Sequence, residues 1–276
     1  MNAPPSALYA DKIDLLRDIF GATEIELGPD WIVVDGKKFP IIDDVIIALD
    51  PSRYPSHVRQ RLNSSEASQS PDPSEFAKDI QRSFGAEWQQ FEEIMPEHKG
   101  EFRQYFDVVN LDELSDARVC DLGCGMGRWS YYLKDLVREL VLVDFSEAIF
   151  VARRNLRDAD NAVFVMADVT QLPFRSDFAD FAFCLGVLHH LPLDALQQVR
   201  QLSRFAPRLL IYLYSALDSR PRFHRVLLGI VDAIRRSVSG IESPGFRTAF
   251  TWAATFGLYL PMIGLGVLVR PFGQSS

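Results

Sequence analysis

Three glycines at alternate positions, Gly123, Gly125 and Gly127, follow a short apolar run that contains the acid Asp121. A helix-forming segment comes directly after them, so the order predicts a strand, a tight turn and a helix. Glycine lets the backbone adopt positive φ and lets a ligand approach the main chain closely. The start of the following helix offers N–H groups to a negatively charged group. This combination favours a nucleotide-like ligand.

The spacing of these glycines narrows the kind of nucleotide site. A dinucleotide fingerprint, G-x-G-x-x-G, needs its third glycine at position 128, where the chain has Arg128. A phosphate-binding P-loop needs a Gly-Lys-Ser/Thr ending, which the segment lacks. Taken alone, the turn is also compatible with an ordinary strand-to-helix connection.

A second acid, Asp144, ends the next apolar run, about 20 residues after the turn. In doubly wound folds a carboxylate at this place accepts hydrogen bonds from ribose hydroxyls, and its two oxygens suit a vicinal diol. Ser146 is expected to cap the helix that follows. A capping role for Asp144 itself is the alternative.

A third acid, Asp168, follows the third apolar run. Its carboxylate can accept a hydrogen bond from an exocyclic adenine amine, and the neighbouring N–H of Val169 can donate to a ring nitrogen. An aspartate that merely opens a turn is the alternative.

Two adjacent histidines follow the fourth apolar run. This run ends at Leu185 and Gly186 and leads into His189 and His190. Histidine titrates near neutral pH, so either side chain can remove a proton from a nucleophile. A packing or helix-start role is the alternative for each. In a parallel sheet the carboxyl ends of the strands share one edge, which predicts that all four motifs meet there.

Five apolar runs alternate with amphipathic segments in the second half of the chain. Continuous apolar strands between amphipathic helices predict a parallel sheet covered on both faces. The predicted strands are Arg118–Leu122, Leu140–Asp144, Ala162–Ala167, Phe181–Leu185 and Leu209–Tyr214, and the predicted helices between them are Arg128–Val137, Ser146–Leu156 and Leu193–Phe205.

Together these motifs resemble class I S-adenosylmethionine-dependent methyltransferases, in particular the type 11 subgroup that includes quinone-biosynthesis enzymes. The motifs are Asp121–Gly127, Val143-Asp144, Ala167-Asp168 and Val187–Leu191, and the resemblance covers roughly residues 117 to 215. It implies an α/β fold, a Rossmann-like doubly wound and mostly parallel sheet with helices on both faces. It also implies S-adenosylmethionine as cofactor, and in-line methyl transfer to a small-molecule or lipid-like acceptor.

The resemblance further implies a role for each motif. The glycine turn holds the methionine part of the cofactor, Asp144 the ribose, and Asp168 with Val169 the adenine, while the backbone near Leu185 and Gly186 faces the cofactor's ammonium group. His189 and His190 are the candidate catalytic bases. The full predicted cofactor-binding set is Asp121, Gly123, Gly125, Gly127, Asp144, Phe145, Asp168, Val169, Leu185 and Gly186.

The regions outside this core are predicted from composition and from weaker resemblances. A β-rich module with an Asp35-Gly36 hairpin signal is similar to zinc-ribbon-like modules, but it lacks their paired cysteines, so no metal is expected. Ser83–Trp88 resembles part of a helical lid, with packing on the sheet edge as the alternative. The predicted regions are an N-terminal helix and module at 1–50, a linker at 51–75, a lid at 76–116, the core at 117–216 and a helical apolar extension at 217–276.

Composition sets the expectations for partners and location. The formal net charge is −8, which argues against a general nucleic-acid binder, so no nucleic-acid partner is expected. The three cysteines, Cys120, Cys124 and Cys184, form no CxxC pair and are expected to be reduced thiols of a cytoplasmic protein. The N-terminus lacks the basic and apolar regions of a signal peptide.

The C-terminal extension raises two further expectations. No charged residue lies between Arg247 and Arg270, a length close to that of a membrane span. A tail that is buried or covered by a partner and a tail in peripheral contact with a membrane are the alternatives. After Tyr214 no final antiparallel strand pair is predicted, although the family usually has one. The alternative function is therefore a non-catalytic cofactor-binding or scaffold protein; an NAD oxidoreductase is disfavoured by Arg128.

Overall fold

The computed structural model describes residues 8–62, 92–191, 194–213 and 244–260. Backbone contacts divide the chain into two units, Met1–Tyr214 and Ser215–Ser276. The predicted lid motif at 83–88 lies outside the described residues.

The first unit is built on one nine-stranded sheet of order β1-β2-β3-β4-β7-β6-β5-β8-β9. Its strands are β1 (Ile25–Leu27), β2 (Trp31–Val34), β3 (Lys37–Ile42), β4 (Val45–Ile47), β5 (Arg118–Leu122), β6 (Glu139–Asp144), β7 (Ala162–Met166), β8 (Phe181–Leu185) and β9 (Leu209–Tyr212).

All pairings among β5 to β9 are parallel, as the sequence predicts. The chain runs outward from β5 through β6 to β7 and then returns to the other side of β5 with β8. This reversal creates a topological switch point between β5 and β8, and open α/β sheets bind ligands at the carboxyl ends of the strands beside such a point. The α/β, doubly wound fold class is confirmed.

The N-terminal strands extend this same sheet. A tight turn at Asp35 and Gly36, with φ of 46° and 81°, joins β2 to β3, and both values suit a two-residue hairpin turn. Strand β4 then pairs in parallel with β7, with Val45 opposite Phe164. The β-rich segment is therefore continuous with the core sheet, while the division of the chain into five regions stays a prediction.

Described helices of the first unit cover both faces of the sheet. Alternate residues of β5 point to opposite sides: Cys120 packs in one apolar core and Val119 in the other. Helices α1 and α6 pack in the first core, and α2, α3, α4 and α5 pack in the second. These helices are α1 (Ile13–Phe20), α2 (Ser56–Arg61), α3 (His98–Tyr105), α4 (Ser130–Leu133), α5 (Ala148–Asn155) and α6 (Ala195–Leu202).

The segment predicted as a linker begins with ordered structure. Pro51–Arg53 forms a 3-10 turn in which the backbone N–H of Ser52 donates to the Asp50 carboxylate, and α2 follows it. Tyr54 and Val58 are buried in the second core. The Ser- and Pro-rich composition predicts a linker, but the burial of these two apolar side chains stabilises an ordered segment.

The second unit contains one described helix, α7 (Pro244–Ala254), which continues as a π-helical turn over Thr255–Tyr259. The rings of Trp252 and Phe256 stack on this helix with their centroids 5.6 Å apart. Among the residues that the structure describes, no helix is both long and apolar enough to cross a bilayer.

Candidate functional site

The glycine turn leads from β5 into α4 at the carboxyl edge of the sheet. Gly123, Gly125 and Gly127 all have positive φ, at 80°, 54° and 77°. The backbone N–H of Gly123 donates to the carbonyl oxygen of Val143 at 2.8 Å, and the N–H of Cys124 donates to the same oxygen at 3.0 Å. The turn is therefore fastened to the end of the neighbouring strand, β6.

Steric packing leaves no room for a side chain at Gly123. A Cβ built there would lie 3.0 Å from Val187 Cγ1 and closer still to Cγ2. Val187 belongs to the segment after β8, so this contact brings the turn against the loop that carries the two histidines. The absence of a side chain at Gly123 thus allows the loops after β5 and β8, which flank the switch point, to pack closely together.

Asp144 closes the turn from the end of β6. Its Oδ2 accepts a hydrogen bond from the N–H of Gly125 at 2.8 Å, and its Oδ1 accepts from the N–H and hydroxyl of Ser146 at 2.8 and 2.7 Å. Burial raises the pKa of this carboxyl, and the hydrogen bonds from Ser146 and Gly125 oppose that rise. A carboxylate has about four acceptor positions, so Oδ2 retains capacity for one further donor such as a ribose hydroxyl.

Asp121 lies beneath the turn, only 2% exposed, and its Oδ2 accepts a hydrogen bond from the Ser130 hydroxyl at 2.7 Å. Burial raises the pKa of Asp121 from 3.8 to about 8, a rise that the Ser130 hydrogen bond opposes and the nearby charge of Asp144 supports. The carboxyl is therefore mostly protonated in the folded chain at neutral pH. Sequence reasoning missed Ser130, although a lone polar residue at the start of an otherwise apolar and aromatic helix is a usable signal.

This protonation gives the free energy of unfolding a pH dependence. Because the pKa of Asp121 is higher in the folded chain than in the unfolded chain, folding takes up a proton between pH 4 and pH 8. The stabilisation is complete below the unfolded pKa and is lost as pH rises through the folded one. The wild type should lose up to about 1.4 kcal/mol per pH unit relative to Asp121→Asn, whose side chain stays neutral.

Urea denaturation of the two chains at pH 6, 7 and 8 measures this difference. Asp144, whose pKa is also raised, is present in both chains and contributes to both curves, so the difference between the curves reports the removal of the Asp121 carboxyl together with its interaction with Asp144. Parallel curves would contradict the assignment of the raised pKa to Asp121.

Asp168 lies after β7, at the same edge. Its Oδ1 accepts from the N–H and hydroxyl of Thr170 at 2.8 and 2.7 Å. Its Oδ2 lies 2.7 Å from Nη1 of Arg53, whose guanidinium carbon lies 4.7 Å from the centroid of the Phe145 ring. The sequence analysis did not identify Arg53, because no local pattern around residue 53 indicates that it contacts the residues that follow β6 and β7.

The two histidines lie in the 3-10 turn Leu188–His190 that follows Gly186. Their ring centroids are 3.9 Å apart. Partial burial lowers the pKa of both, and the charge of His190 lowers that of His189 further. Both rings are therefore neutral at pH 7 and able to accept a proton.

The predicted site residues thus lie at one edge of the sheet, but their contacts with one another differ. The turn and Asp144 are directly hydrogen-bonded, and Phe145 and Asp168 are linked through Arg53. The side chain of Val169 is buried in the apolar core shared with α1, so its backbone is the part available to a ligand. The roles given to these residues stay predictions.

Comparison with known proteins identifies the central part of the chain. Residues 119–206 match the family model described as "Methyltransferase domain". The 23S rRNA (uracil(1939)-C(5))-methyltransferase RlmD of Pseudomonas fluorescens is 37% identical over 103 residues, which are 36% of this chain and 22% of that protein. The protein of the same name from Pseudomonas savastanoi pv. phaseolicola is 33% identical over 106 residues, or 37% and 23% of the two chains. The chain therefore spans about a fifth of the length of these curated relatives.

Among solved structures, magnesium protoporphyrin IX methyltransferase from Synechocystis PCC 6803 with bound S-adenosylhomocysteine is 21% identical. The similarity covers 58% of this chain and 80% of that chain, with a TM-score of 0.42.

The expectation that nucleic acid is excluded as a partner is wrong. It rested on the net charge of −8, whereas both curated relatives are named for the methylation of uracil in ribosomal RNA. Net charge is summed over the whole chain, while contact with a nucleic acid depends on a local surface and on the base that enters the site.

Proposed function

We propose that the chain as a whole is an enzyme that transfers a methyl group from S-adenosylmethionine, since its residues 119–206 belong to a class I S-adenosylmethionine-dependent methyltransferase domain. The predicted resemblance and the predicted cofactor are confirmed at the level of this domain family. One observation carries the proposal: the glycine turn is closed by the hydrogen bond from the Gly125 N–H to the buried Asp144 carboxylate.

The residues at the edge fit the cofactor. The turn places backbone without side chains beside the strand ends, which allows a ligand to approach the main chain. Asp144 would hold the ribose, Asp168 the adenine amine, and the backbone near Gly186 the ammonium group. When bound, the cofactor supplies an electrophilic methyl group on a sulfonium.

The chain itself contributes alignment and proton transfer. Alignment of the acceptor opposite the sulfonium and exclusion of water are the main protein contributions to such a displacement. His189 and His190 would hold the proton that an oxygen or nitrogen acceptor loses. Because their pKa values are lowered, both rings are unprotonated at pH 7, and each can accept a proton there.

For the acceptor, we propose a small-molecule or lipid-like compound, as the type 11 resemblance implies. A second candidate is an RNA base, which is favoured by the two relatives named for uracil methylation. The match to the first of these relatives covers 36% of this chain and 22% of that protein, so it supports the domain and does not select between the two acceptors.

Calorimetric titration of the full chain with S-adenosylhomocysteine tests the cofactor site, with NAD as the control ligand. Binding of S-adenosylhomocysteine and not of NAD is expected. Binding of NAD alone, or of neither compound, would contradict the proposal.

Incorporation of label from S-[methyl-³H]-adenosylmethionine separates the acceptor classes. The full chain is incubated with total RNA and, separately, with a lipid and small-molecule extract. Label that partitions into the organic extract supports the first candidate, and label that ribonuclease releases supports the second. Binding without any transfer would favour the non-catalytic alternative.

A further inference from the structure

Arg53 reaches the carboxyl edge of the sheet from outside the matched methyltransferase region. It is the last residue of the 3-10 turn Pro51–Arg53, which precedes α2. Its guanidinium is paired with Asp168 and lies over the ring of Phe145. The side chains of Arg53 and Asp168 are mostly buried, at 19% and 13% exposed. The Arg53–Asp168 pair is therefore mostly buried and differs from an exposed surface ion pair.

A guanidinium and an adenine ring can make the same two contacts here. Both are planar, both stack on an aromatic face, and both direct N–H donors outward in their plane. The Phe145 ring offers the stacking face, and Asp168 Oδ2 offers the acceptor that Arg53 now occupies. A ligand that uses these two groups must therefore compete with Arg53.

The backbone that carries Arg53 is held in place. Asp50 accepts hydrogen bonds from the N–H and hydroxyl of Ser52. Arg59 donates to the carbonyl oxygens of Tyr54 and Ser52 at 2.8 and 3.2 Å. Displacement of Arg53 therefore requires a change of side-chain rotamer and not the unfolding of the segment.

We propose that Arg53 is an internal placeholder in the adenine subsite and that cofactor binding displaces it. The inference rests on the proposed function, because that function assigns adenine to Asp168 and Phe145. The N-terminal segment then sets the affinity of the site, since every cofactor that binds must break the Arg53–Asp168 pair and the stacking on Phe145.

Substitution of Arg53 tests this directly. Arg53→Ala should bind S-adenosylhomocysteine about tenfold more tightly than the wild type, because a mostly buried ion pair and a stacked cation no longer compete. Arg53→Lys keeps the charge but loses the planar stacking group, so its affinity should be intermediate. The matched control is Arg61→Ala, which removes an Arg–Asp pair of the same 2.7 Å length at the exposed surface. Its affinity for S-adenosylhomocysteine should equal that of the wild type.

Fragments of the cofactor locate the effect. Adenosine, which is neutral, should gain affinity in Arg53→Ala, whereas binding of L-methionine should stay unchanged. Added NaCl weakens the Arg53–Asp168 pair by screening. The affinity of the wild type for adenosine should therefore rise with salt, and that of Arg53→Ala should stay flat.

Weaker or unchanged S-adenosylhomocysteine binding by Arg53→Ala would overturn the inference. Weaker binding would instead show that Arg53 contacts the ligand. Thermal unfolding first establishes that the variant is folded, and Arg53→Gln replaces it if it is not. Failure of every chain to bind S-adenosylhomocysteine would overturn the proposed function, and the inference with it.

Discussion

Gly123→Ala should lower the free energy of unfolding by about 2–5 kcal/mol and abolish measurable binding of S-adenosylhomocysteine. Two costs add. A φ of 80° is unfavourable for an L-residue by about 1–2 kcal/mol. The new Cβ also enters the space of Val187, and such overpacking costs about 1–3 kcal/mol. Binding is lost because relief of the clash moves the turn away from Asp144.

The chain provides a control in which only the first cost applies. Gly36, in the hairpin between β2 and β3, has a φ of 81°, and a Cβ built there meets no atom within 4 Å. Gly36→Ala should therefore cost about 1–2 kcal/mol and leave cofactor binding unchanged. Urea denaturation and calorimetry measure both quantities.

A double-mutant cycle with Val187→Ala isolates the steric cost. Removal of the two Val187 methyl groups makes room for the Cβ of Gly123→Ala, so the two substitutions should couple favourably by about 1–3 kcal/mol. Simple additivity would show that the turn relaxes without touching Val187. It would also remove the steric link between the turn and the histidine loop.

The parallel core and its edge were predictable because their signals are local. Strands β5 and β8 were predicted at their observed bounds, since each is a short, mostly apolar run that is followed directly by a glycine, Gly123 or Gly186. The glycine spacing and the following acids fixed the order of the motifs. Parallel pairing then required Asp121, Asp144 and Asp168 to lie at one edge.

Helix ends were less predictable because partners distant in the sequence decide them. A helix was predicted over 128–137, but α4 covers only Ser130–Leu133. The side-chain amide of Asn161 donates to the carbonyl oxygens of Lys134 and Val137. These bonds hold the chain in a turn where the apolar pattern alone would continue the helix.

The contacts of the N-terminal segment could not be read from the sequence. Val45–Ile47 has the apolar composition of a buried strand, but its three residues do not indicate which strand it pairs with, and in the structure this is β7. The position of Arg53 depends on that pairing together with the burial of Tyr54 and Val58. Contacts of this kind arise from the closure of long loops, which local patterns do not encode.

Asp144→Asn should weaken S-adenosylhomocysteine binding by about 100-fold. A hydrogen bond from a ribose hydroxyl to a charged acceptor is worth up to about 3 kcal/mol, which corresponds to about 100-fold in affinity, and an uncharged amide oxygen is a weaker acceptor. The amide must also turn its NH₂ group toward a donor, either the Gly125 N–H or the Ser146 N–H and hydroxyl. Either orientation loses a bond that closes the turn, so the free energy of unfolding should fall as well.

Asp35→Asn provides the matched control for this loss. The Oδ1 of Asp35 also accepts three hydrogen bonds, from the N–H and hydroxyl of Thr23 and from the N–H of Glu24, but it lies at the exposed hairpin of the N-terminal strands. Calorimetry and urea denaturation of both variants separate the two effects. Asp35→Asn should alter stability alone, whereas Asp144→Asn should alter both quantities. Unchanged affinity in Asp144→Asn would remove this carboxylate from the cofactor site and leave it as a cap of the glycine turn.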